Sequence, residues 1–386
     1  MSYQNNKKTI LYLITQSELG GAQKYIFDLC QNLKSEYNVV VGFGEQGEQG
    51  ELAKLLKDNQ IEYRTIPALR RKIDPKIDYF ALNQIIALIK EVQPDILHLN
   101  SSKISILGSL AMFKLSFNPF WHFKLKRIKV IYTVHGWVFH EPSRNNDKFK
   151  RLEKFTAKYK DKIICVSQMD YDSALKEKIA PEKKLITIHN GIAPINFLSR
   201  EDARKELKLE PGDFVIGSIG NLYKTKGFEY LINAVKILVD NGLNPKTVII
   251  GEGEERTELE NWIAQYRLEK NVFLKGRLEG ARLLKAFDIY VCSSVKEGLS
   301  YTIIEAMLAT RPIIATKVGG NGEMIENEVT GLLVNPEKPE EISQAVIKLI
   351  NNPELLNKIR LAAKEKAEKK FTLEKMIEET KKVYES

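Results

Sequence analysis

The stretch Asp288-Ile-Tyr-Val-Cys-Ser293 is followed, after three residues, by Glu297-Gly-Leu-Ser-Tyr-Thr-Ile-Ile-Glu305. The first run predicts a strand, and the second predicts a turn at Gly298 and a helix that opens near residues 300–302. Glu297 then lies in the loop, beside the amides of the helix start. Such a terminus attracts phosphate, and carboxylates accept hydrogen bonds from hydroxyl groups. Taken alone, the two glutamates favour the plainer interpretation of a solvated helix face.

The segments around this stretch repeat a strand, a glycine-containing loop and a helix. Their order, more than any single motif, carries the functional prediction. The segments are Ile216-Gly-Ser-Ile-Gly220, Asn221-Leu-Tyr-Lys-Thr-Lys226-Gly227, Val248-Ile-Ile-Gly-Glu-Gly253, Val272-Phe-Leu-Lys-Gly276-Arg277, the paired glutamates, Pro312-Ile-Ile-Ala-Thr316, Val318-Gly-Gly320 and Gly331-Leu-Leu-Val334.

In this order the sequence resembles the large family-four retaining glycosyltransferases of the GT-B fold, also called glycosyl transferases group 1. The resemblance runs through most of residues 8–370, is dense from 215 to 335 and is looser before 130. It implies an α/β fold of two Rossmann-like parallel-sheet domains that face each other across a cleft. A nucleotide-sugar donor would bind one domain and the acceptor the other.

Length and composition agree with two globular domains. The 386 residues suit two domains of about 190 residues each. With 43% hydrophobic and 28% charged residues, the chain has the composition of an ordinary soluble protein. No apolar run reaches about 18 residues, and the N-terminus has no signal-peptide pattern. We therefore expect a cytoplasmic protein, peripheral at most to the inner face of the cell membrane.

Strand-like and helix-like segments alternate in both halves, which predicts βαβ units and parallel sheets. We place an N-terminal acceptor-binding domain at 1–195 and a C-terminal donor-binding domain at 196–365. From the resemblance, residues 366–386 form a helix that crosses back to the N-terminal domain. The predicted strands of the first half are 9–15, 39–43, 63–66, 96–99, 130–134, 163–166 and 185–188, and its helices include 23–34 and 79–92.

Cysteine and histidine usage gives no sign of a metal site. Cys30, Cys165 and Cys292 are far apart and lie within predicted strands or helices, so we expect buried thiols. The pair Asp170 and Asp172 falls at a predicted helix start, where capping is the favoured role. We predict no protein-held metal and no cofactor, since the nucleotide sugar is a substrate.

The formal charge of +9 suggests an anionic partner. Aromatic and basic residues alternate from Phe113 to Lys129, a pattern that fits an anionic membrane surface. The alternative is an irregular loop that covers part of the core. Nucleic acid is not expected, because no nucleic-acid-binding motif accompanies the charge.

Two segments of the first half are candidates for donor contacts. Gly20 and Gly21 follow the first strand, and their backbone can approach a phosphate closely, although such a turn also serves as a plain connection. His135 follows another buried strand and can donate to a sugar hydroxyl or act structurally. The resemblance implies that the glycine loop closes over the donor diphosphate and that the histidine contacts the donor sugar.

Lys226 lies at a loop-to-helix junction, where an ammonium can neutralise charge on a leaving diphosphate. We predict that it is the principal phosphate cation. The family pattern has an arginine directly after the glycine, and this chain has Asn221 there. The usual pair of cations is therefore altered, and Lys224 is a candidate substitute.

The resemblance assigns the remaining donor contacts. Glu297 would reach the sugar hydroxyls, Glu305 the ribose, and the amides of Ser300, Tyr301 and Thr302 the diphosphate. The nucleobase would lie near Lys275, Gly276 and Arg277, with Gly253 in the adjoining turn. Gly319, Gly320 and Glu323 would shape the floor of the site or serve the fold alone.

The predicted reaction is a hexosyltransferase reaction with retention at the anomeric carbon. The uridine nucleotide is favoured as donor on family frequency, and a lipid-linked saccharide of a polysaccharide or glycan pathway as acceptor. Two alternatives are a sugar-nucleotide epimerase of the same fold, which needs no acceptor, and a non-catalytic nucleotide-sugar-binding scaffold.

Overall fold

Both halves of the chain fold around a parallel β-sheet, as the alternation of strand-like and helix-like segments predicts. The structure is a computed structural model that describes residues 7–117, 127–141 and 146–386. It contains two compact units, Met1–His189 with Met376–Ser386, and Asn190–Lys375. The predicted α/β class with two Rossmann-like parallel sheets is confirmed.

The first unit has a seven-stranded sheet in the order β3-β2-β1-β4-β5-β6-β7, in which every neighbouring pair is parallel. Residues Ile10 to Ile14 lie in β1, an inner strand of this sheet. They are at most 1% exposed, as expected of a strand that is covered on both faces. The strands are β1 (Thr9–Gln16), β2 (Asn38–Glu45), β3 (Glu62–Thr65), β4 (Ile96–Leu99), β5 (Lys129–Val134), β6 (Lys162–Cys165) and β7 (Leu185–Thr187).

Helices connect these strands, and two of them begin earlier than the sequence pattern suggested. The first starts at Gly21 because Gly20 adopts the extended conformation of an N-cap. The third starts at Pro75, since the Asp74 carboxylate caps the amides of Lys76 and Ile77 at 3.0 and 3.1 Å. The helices are α1 (Gly21–Leu33), α2 (Glu51–Asp58), α3 (Pro75–Val92), α4 (Ser102–Ser116), α5 (Asn146–Thr156) and α6 (Gln168–Lys176).

The second unit has a six-stranded parallel sheet in the order β10-β9-β8-β11-β12-β13. Its strands are β8 (Val215–Ile219), β9 (Lys246–Ile250), β10 (Val272–Leu274), β11 (Ile289–Cys292), β12 (Ile313–Thr316) and β13 (Leu332–Val334). Its helices are α7 (Arg200–Leu207), α8 (Phe228–Asp240), α9 (Arg256–Gln265), α10 (Gly280–Leu283), α11 (Tyr301–Leu308), α12 (Asn321–Met324), α13 (Pro339–Asn351) and α14 (Pro353–Lys370).

Several smaller predictions can be compared with the structure. Cys30, Cys165 and Cys292 are buried free thiols, as predicted. Asp170 takes part in helix capping, because Ser167 caps its amide at 3.1 Å and donates to its carboxylate at 3.0 Å. Within the described ranges, no helix combines the length and apolar character needed to cross a membrane.

The last helix, α15 (Leu373–Glu385), is attached to the first unit by a buried polar cluster. The Tyr384 hydroxyl lies 2.7 Å from Nδ1 of His98 and 3.0 Å from the hydroxyl of Tyr12. The other ring nitrogen of His98 lies 2.7 Å from Oγ1 of Thr133, and this Thr133 oxygen lies 3.3 Å from the Tyr25 hydroxyl. Burial lowers the pKa of His98 to about 3, so the imidazole in this cluster is neutral.

Replacing Tyr384 by phenylalanine should lower the free energy of unfolding of the first unit by about 1–3 kcal/mol, because a buried ring nitrogen loses its partner. Urea denaturation followed by far-UV circular dichroism measures the change. Tyr171→Phe is the matched control, since that hydroxyl makes an exposed bond to Glu182. Equal stability of the Tyr384→Phe variant and the wild-type protein would show that the cluster does not hold the helix.

Candidate functional site

Three loops meet at the carboxyl ends of the central strands of the second unit. They follow β8, β11 and β12. The amide of Val295 donates to the carbonyl of Thr225 at 2.9 Å, and the amide of Gly320 donates to that of Gly298 at 2.6 Å. In parallel sheets ligands bind at this edge. The structure thus brings together Lys226, Glu297 and the glycines at 319 and 320, which the sequence had placed in separate motifs.

Lys226 and Glu297 form an ion pair inside this cluster of loops. The Nζ atom of Lys226 lies 2.6 Å from Oε1 of Glu297, and the Ser294 hydroxyl donates to the same oxygen at 2.7 Å. The carboxylate side chain is 9% exposed and the lysine side chain 27%. Both bonds reach Oε1, so among the described contacts Oε2 remains the oxygen that a ligand hydroxyl could use.

The charge state of Lys226 depends on this pair. Burial favours the neutral amine and is the largest influence on the pKa of Lys226, but the charge and hydrogen bond of Glu297 act in the opposite direction. Their effect prevails, and the pKa of Lys226 is raised above its ordinary value. The side chain is therefore a cation at neutral pH, with one carboxylate beside it.

Two glycines allow the loops to approach one another. Gly227 has φ +59° and Gly319 has φ +51°, a region that residues with a Cβ atom rarely adopt. A Cβ atom on Gly227 would collide with the carbonyl of Ser293, and one on Gly319 with the carbonyl of Glu297. These positions fix the backbone that carries both charged side chains.

Helix α11 begins directly after the Glu297 loop. Ser300 precedes its first residue and makes no side-chain cap; its hydroxyl lies 3.1 Å from that of Thr302. Tyr301 is the first helical residue, and Glu305, one turn on, is 8% exposed. The first-turn amides and the second carboxylate thus belong to one short helix that starts at the ion pair.

The predicted nucleobase residues lie at the ends of the neighbouring strands. Gly276 follows β10 with φ +72° and accepts a hydrogen bond from the amide of Gly251 at 2.9 Å. Arg277 is exposed, and Asn221 is half-buried after β8. A Cβ atom on Gly253 would collide with the backbone of Leu222, so this glycine is required for packing irrespective of any ligand.

His135 and the Gly20–Gly21 turn lie in the first unit. The Nε2 atom of His135 is buried without a hydrogen-bond partner among the described residues. Burial lowers the pKa of His135 to about 3, so the ring is neutral. Its edge packs on Tyr25 of α1 with ring centroids 5.0 Å apart, and α1 is the helix that Gly21 begins. An unpaired buried nitrogen is a site where a polar ligand could bind.

Two supporting residues were not predicted from the sequence. Ser294 orients the Glu297 carboxylate, and Tyr25 packs against His135. Ser294 does lie beside the quoted strand, but a serine after a strand has no distinctive spacing. Tyr25 resembles any apolar residue of an amphipathic helix. Among the described residues, no three His, Cys, Asp or Glu side chains are grouped so as to hold a metal ion.

Comparison with solved structures identifies the fold. The crystal structure of the Anabaena protein HepE in complex with UDP and glucose matches with a TM-score of 0.83 and 20% identity, over 98% of this chain and all of that chain. The chain has the GT-B fold, which is built from two Rossmann-like domains.

Family models then identify the group. The model described as Glycosyltransferase Family 4 matches residues 19–194, and the model described as Glycosyl transferases group 1 matches residues 199–366. The chain belongs to this family of glycosyltransferases.

Two curated relatives match over nearly their whole length. An Escherichia coli UDP-Gal:alpha-D-GlcNAc-diphosphoundecaprenol alpha-1,3-galactosyltransferase is 28% identical, over 100% of this chain and 98% of the relative. The capsular polysaccharide biosynthesis glycosyltransferase CapM of Staphylococcus aureus is 24% identical, over 97% of this chain and 96% of the relative.

Proposed function

We propose that this protein is a retaining hexosyltransferase that moves a sugar from a UDP-sugar to a hydroxyl group of a lipid-linked saccharide. The observation that carries the proposal is the Lys226–Glu297 pair at the start of α11. It offers a cation for a diphosphate and a carboxylate for a sugar beside the same helix terminus. UDP as the nucleotide is supported by the names of the Escherichia coli relative and the HepE complex.

In the proposed step the acceptor oxygen attacks the anomeric carbon on the same face from which the leaving group departs. The bond from that carbon to the β-phosphate oxygen breaks, and the acceptor proton passes to this oxygen. The products are the new glycoside and UDP. Lys226 and the α11 amides stabilise the charge that develops on the diphosphate, so the enzyme contributes position and electrostatics.

We propose the remaining contacts from the surroundings of each side chain. Oε2 of Glu297 accepts from a sugar hydroxyl while Oε1 stays with Lys226 and Ser294. The neutral His135 binds the donor sugar through its unpaired Nε2. We propose that the backbone of the Gly20–Gly21 turn also contacts the diphosphate.

We assign the other half of the donor, the nucleoside, to residues of the second unit. Asn221 stands where related chains carry a second cation, so Lys226 acts there without an adjacent arginine. Gly276 and Arg277 flank the base, and the amides of Ser300, Tyr301 and Thr302 receive phosphate oxygens.

The proposed role of Glu305 gives a binding prediction. Glu305→Gln should weaken UDP binding by about 10–100-fold, because a charged acceptor of the ribose hydroxyls becomes a neutral one. Isothermal titration calorimetry with UDP measures this directly. Glu328→Gln is a control, since this exposed glutamate pairs with Lys348. Equal affinity for UDP in the Glu305→Gln variant would remove the ribose assignment.

We infer the acceptor and the cellular setting from the name of one relative. The Escherichia coli enzyme is named for a GlcNAc-diphosphoundecaprenol acceptor, and it aligns with this entire chain. We therefore place the protein in polysaccharide or glycan assembly, as a cytoplasmic protein at the inner face of the cell membrane.

A donor panel tests the function. Purified protein is incubated with UDP-, GDP- and ADP-sugars, with and without lipid-linked saccharide extracts, and release of free nucleoside diphosphate is followed. We expect release from one UDP-sugar that depends on acceptor. Isomerisation of the donor without acceptor would instead establish an epimerase, and binding of UDP without turnover under any acceptor would indicate a scaffold.

A further inference from the structure

An exposed aromatic surface on the first unit has no role in the proposed sugar transfer. Phe80 is 62% exposed and Tyr79 56% at the start of α3, and Phe117 is 71% exposed at the end of α4. Phe155 on α5 is 43% exposed. Monomeric proteins rarely expose several large apolar side chains together unless the surface binds something.

The exposed aromatic side chains of α3, α4 and α5 belong to two groups of rings, which together we call the aromatic belt. The rings of Tyr79 and Phe80 are 6.1 Å apart, and the ammonium of Lys114 lies 4.9 Å from the Tyr79 ring. Next to Lys114, the Phe113 ring is 4.7 Å from that of Phe117. The belt continues through Tyr159, whose ring is 5.2 Å from Phe113 and 5.9 Å from Phe155. Residues 118–126, the centre of the basic aromatic stretch predicted from sequence, lie outside the described residues and outside this belt.

Exposed basic side chains lie on the elements that carry the belt and on the loop before α3. Two acidic side chains of these elements are paired within the unit, since Asp78 pairs with Lys103 at 2.5 Å and Glu153 is buried against Lys160 at 3.2 Å. Asp147 of α5 is exposed. The exposed basic residues include Arg70, Arg71, Lys72, Lys76, Lys114, Lys154 and Lys158.

We propose that the aromatic belt is the surface by which the protein lies on an anionic lipid bilayer. The inference deepens the proposed function, on which it rests for the lipid-linked acceptor. Aromatic side chains partition into the interface between headgroups and acyl chains, and lysine and arginine attract anionic headgroups. Lys114 brings both kinds of group together, since its ammonium lies over the Tyr79 ring.

The same charges argue against a second copy of this chain as the occupant. Two copies that met through the belt would bring like-charged rims together, which is unfavourable. Single-stranded nucleic acid also stacks on aromatic rings beside basic residues. Close to Tyr79 along the chain, Ile73 is 57% exposed and has neither a ring for base stacking nor a polar group for a base, which favours the lipid interface.

The experiment is vesicle co-sedimentation with the full chain. Vesicles contain phosphatidylcholine alone or phosphatidylcholine mixed with phosphatidylglycerol. The double variant Phe80→Ser, Phe117→Ser is compared with the wild-type protein and with Leu361→Ser, Val329→Ser, which changes two exposed apolar residues of the second unit. We expect binding to the anionic vesicles, reduced by at least about tenfold in the belt variant and unchanged in the control.

Other outcomes would overturn the proposal. These are equal vesicle binding by the belt variant, no binding by the wild-type protein, or loss in the belt variant of self-association or oligonucleotide binding with vesicle binding intact. UDP calorimetry on the same samples separates the two claims. A belt variant that binds UDP normally is folded, and a wild-type protein that binds vesicles but no UDP refutes the sugar-transfer function alone.

Discussion

Replacement of Lys226 by alanine is expected to lower kcat by about 10²–10³-fold, the usual cost of losing one donor to a developing oxyanion. The ammonium lies 2.6 Å from Glu297 at the start of α11, where the leaving diphosphate would bind. The loss should fall on kcat more than on KM, because the charge on the leaving oxygen develops in the transition state. Steady-state kinetics with the donor found in the panel measures both.

A control variant and a measurement of folding make this prediction specific to Lys226. Lys236→Ala removes a lysine of α8 that pairs with Asp240 on the surface, and it should leave kcat unchanged. Thermal unfolding of the Lys226→Ala variant shows whether the loops remain folded. A folded Lys226→Ala variant with kcat within about threefold of the wild-type value would contradict the assignment, since a catalytic cation costs far more.

Glu297→Gln is expected to lower kcat by about 10–100-fold and to change its pH dependence. In the wild-type protein, burial lowers the pKa of Lys226, but the Glu297 carboxylate more than offsets it and keeps the ammonium charged. Without that carboxylate the effect of burial remains, and the pKa of Lys226 falls. The lysine then loses its proton at a lower pH as pH rises.

The alkaline limb of the kcat profile should therefore move to lower pH in the Glu297→Gln variant. Ser294→Ala is the matched control, because it removes a neutral hydrogen bond to the same carboxylate oxygen and leaves the charge in place. It should cost less activity and leave the alkaline limb where it is. An unshifted profile in the Glu297→Gln variant would mean that Lys226 is not the group that titrates.

The order of elements could be predicted from the sequence because parallel α/β folds leave strong local signals. Buried strands such as β1 are continuous apolar runs, and the helices between them are amphipathic. Helix starts were less accurate. The caps at Gly20 and Asp74 depend on backbone conformation and on side-chain bonds that periodicity does not contain.

The candidate site was likewise only partly predictable from the sequence. Lys226 and Glu297 were identified in separate motifs, but their ion pair depends on the pairing of β8 with β11, which aligns the two loops. The hydrogen bond from Ser294 to Glu297 is local, but it depends on the backbone conformation of the loop, which periodicity does not contain. The resemblance implied that the C-terminal helix returns to the first half, but its contacts through Tyr384 could not be predicted, because the partners Tyr12 and His98 are distant along the chain.

The aromatic belt was only partly predictable. The sequence drew attention to residues 113–129 because aromatic and basic residues alternate there. Tyr79 and Phe80 lie beside the end of α4 only because α3 packs against α4, as the contact between the Tyr79 ring and the ammonium of Lys114 shows. A surface assembled from three helices has no single signature in the chain.

The most direct test of the central claim is proton NMR of the product that the purified protein forms from its UDP-sugar and a saccharide acceptor. We expect one new glycoside whose anomeric configuration equals that of the donor sugar, formed together with UDP and formed about 10²–10³-fold more slowly by the Lys226→Ala variant. A product of inverted configuration, or glycoside formation by that variant at the wild-type rate, would contradict the proposed reaction.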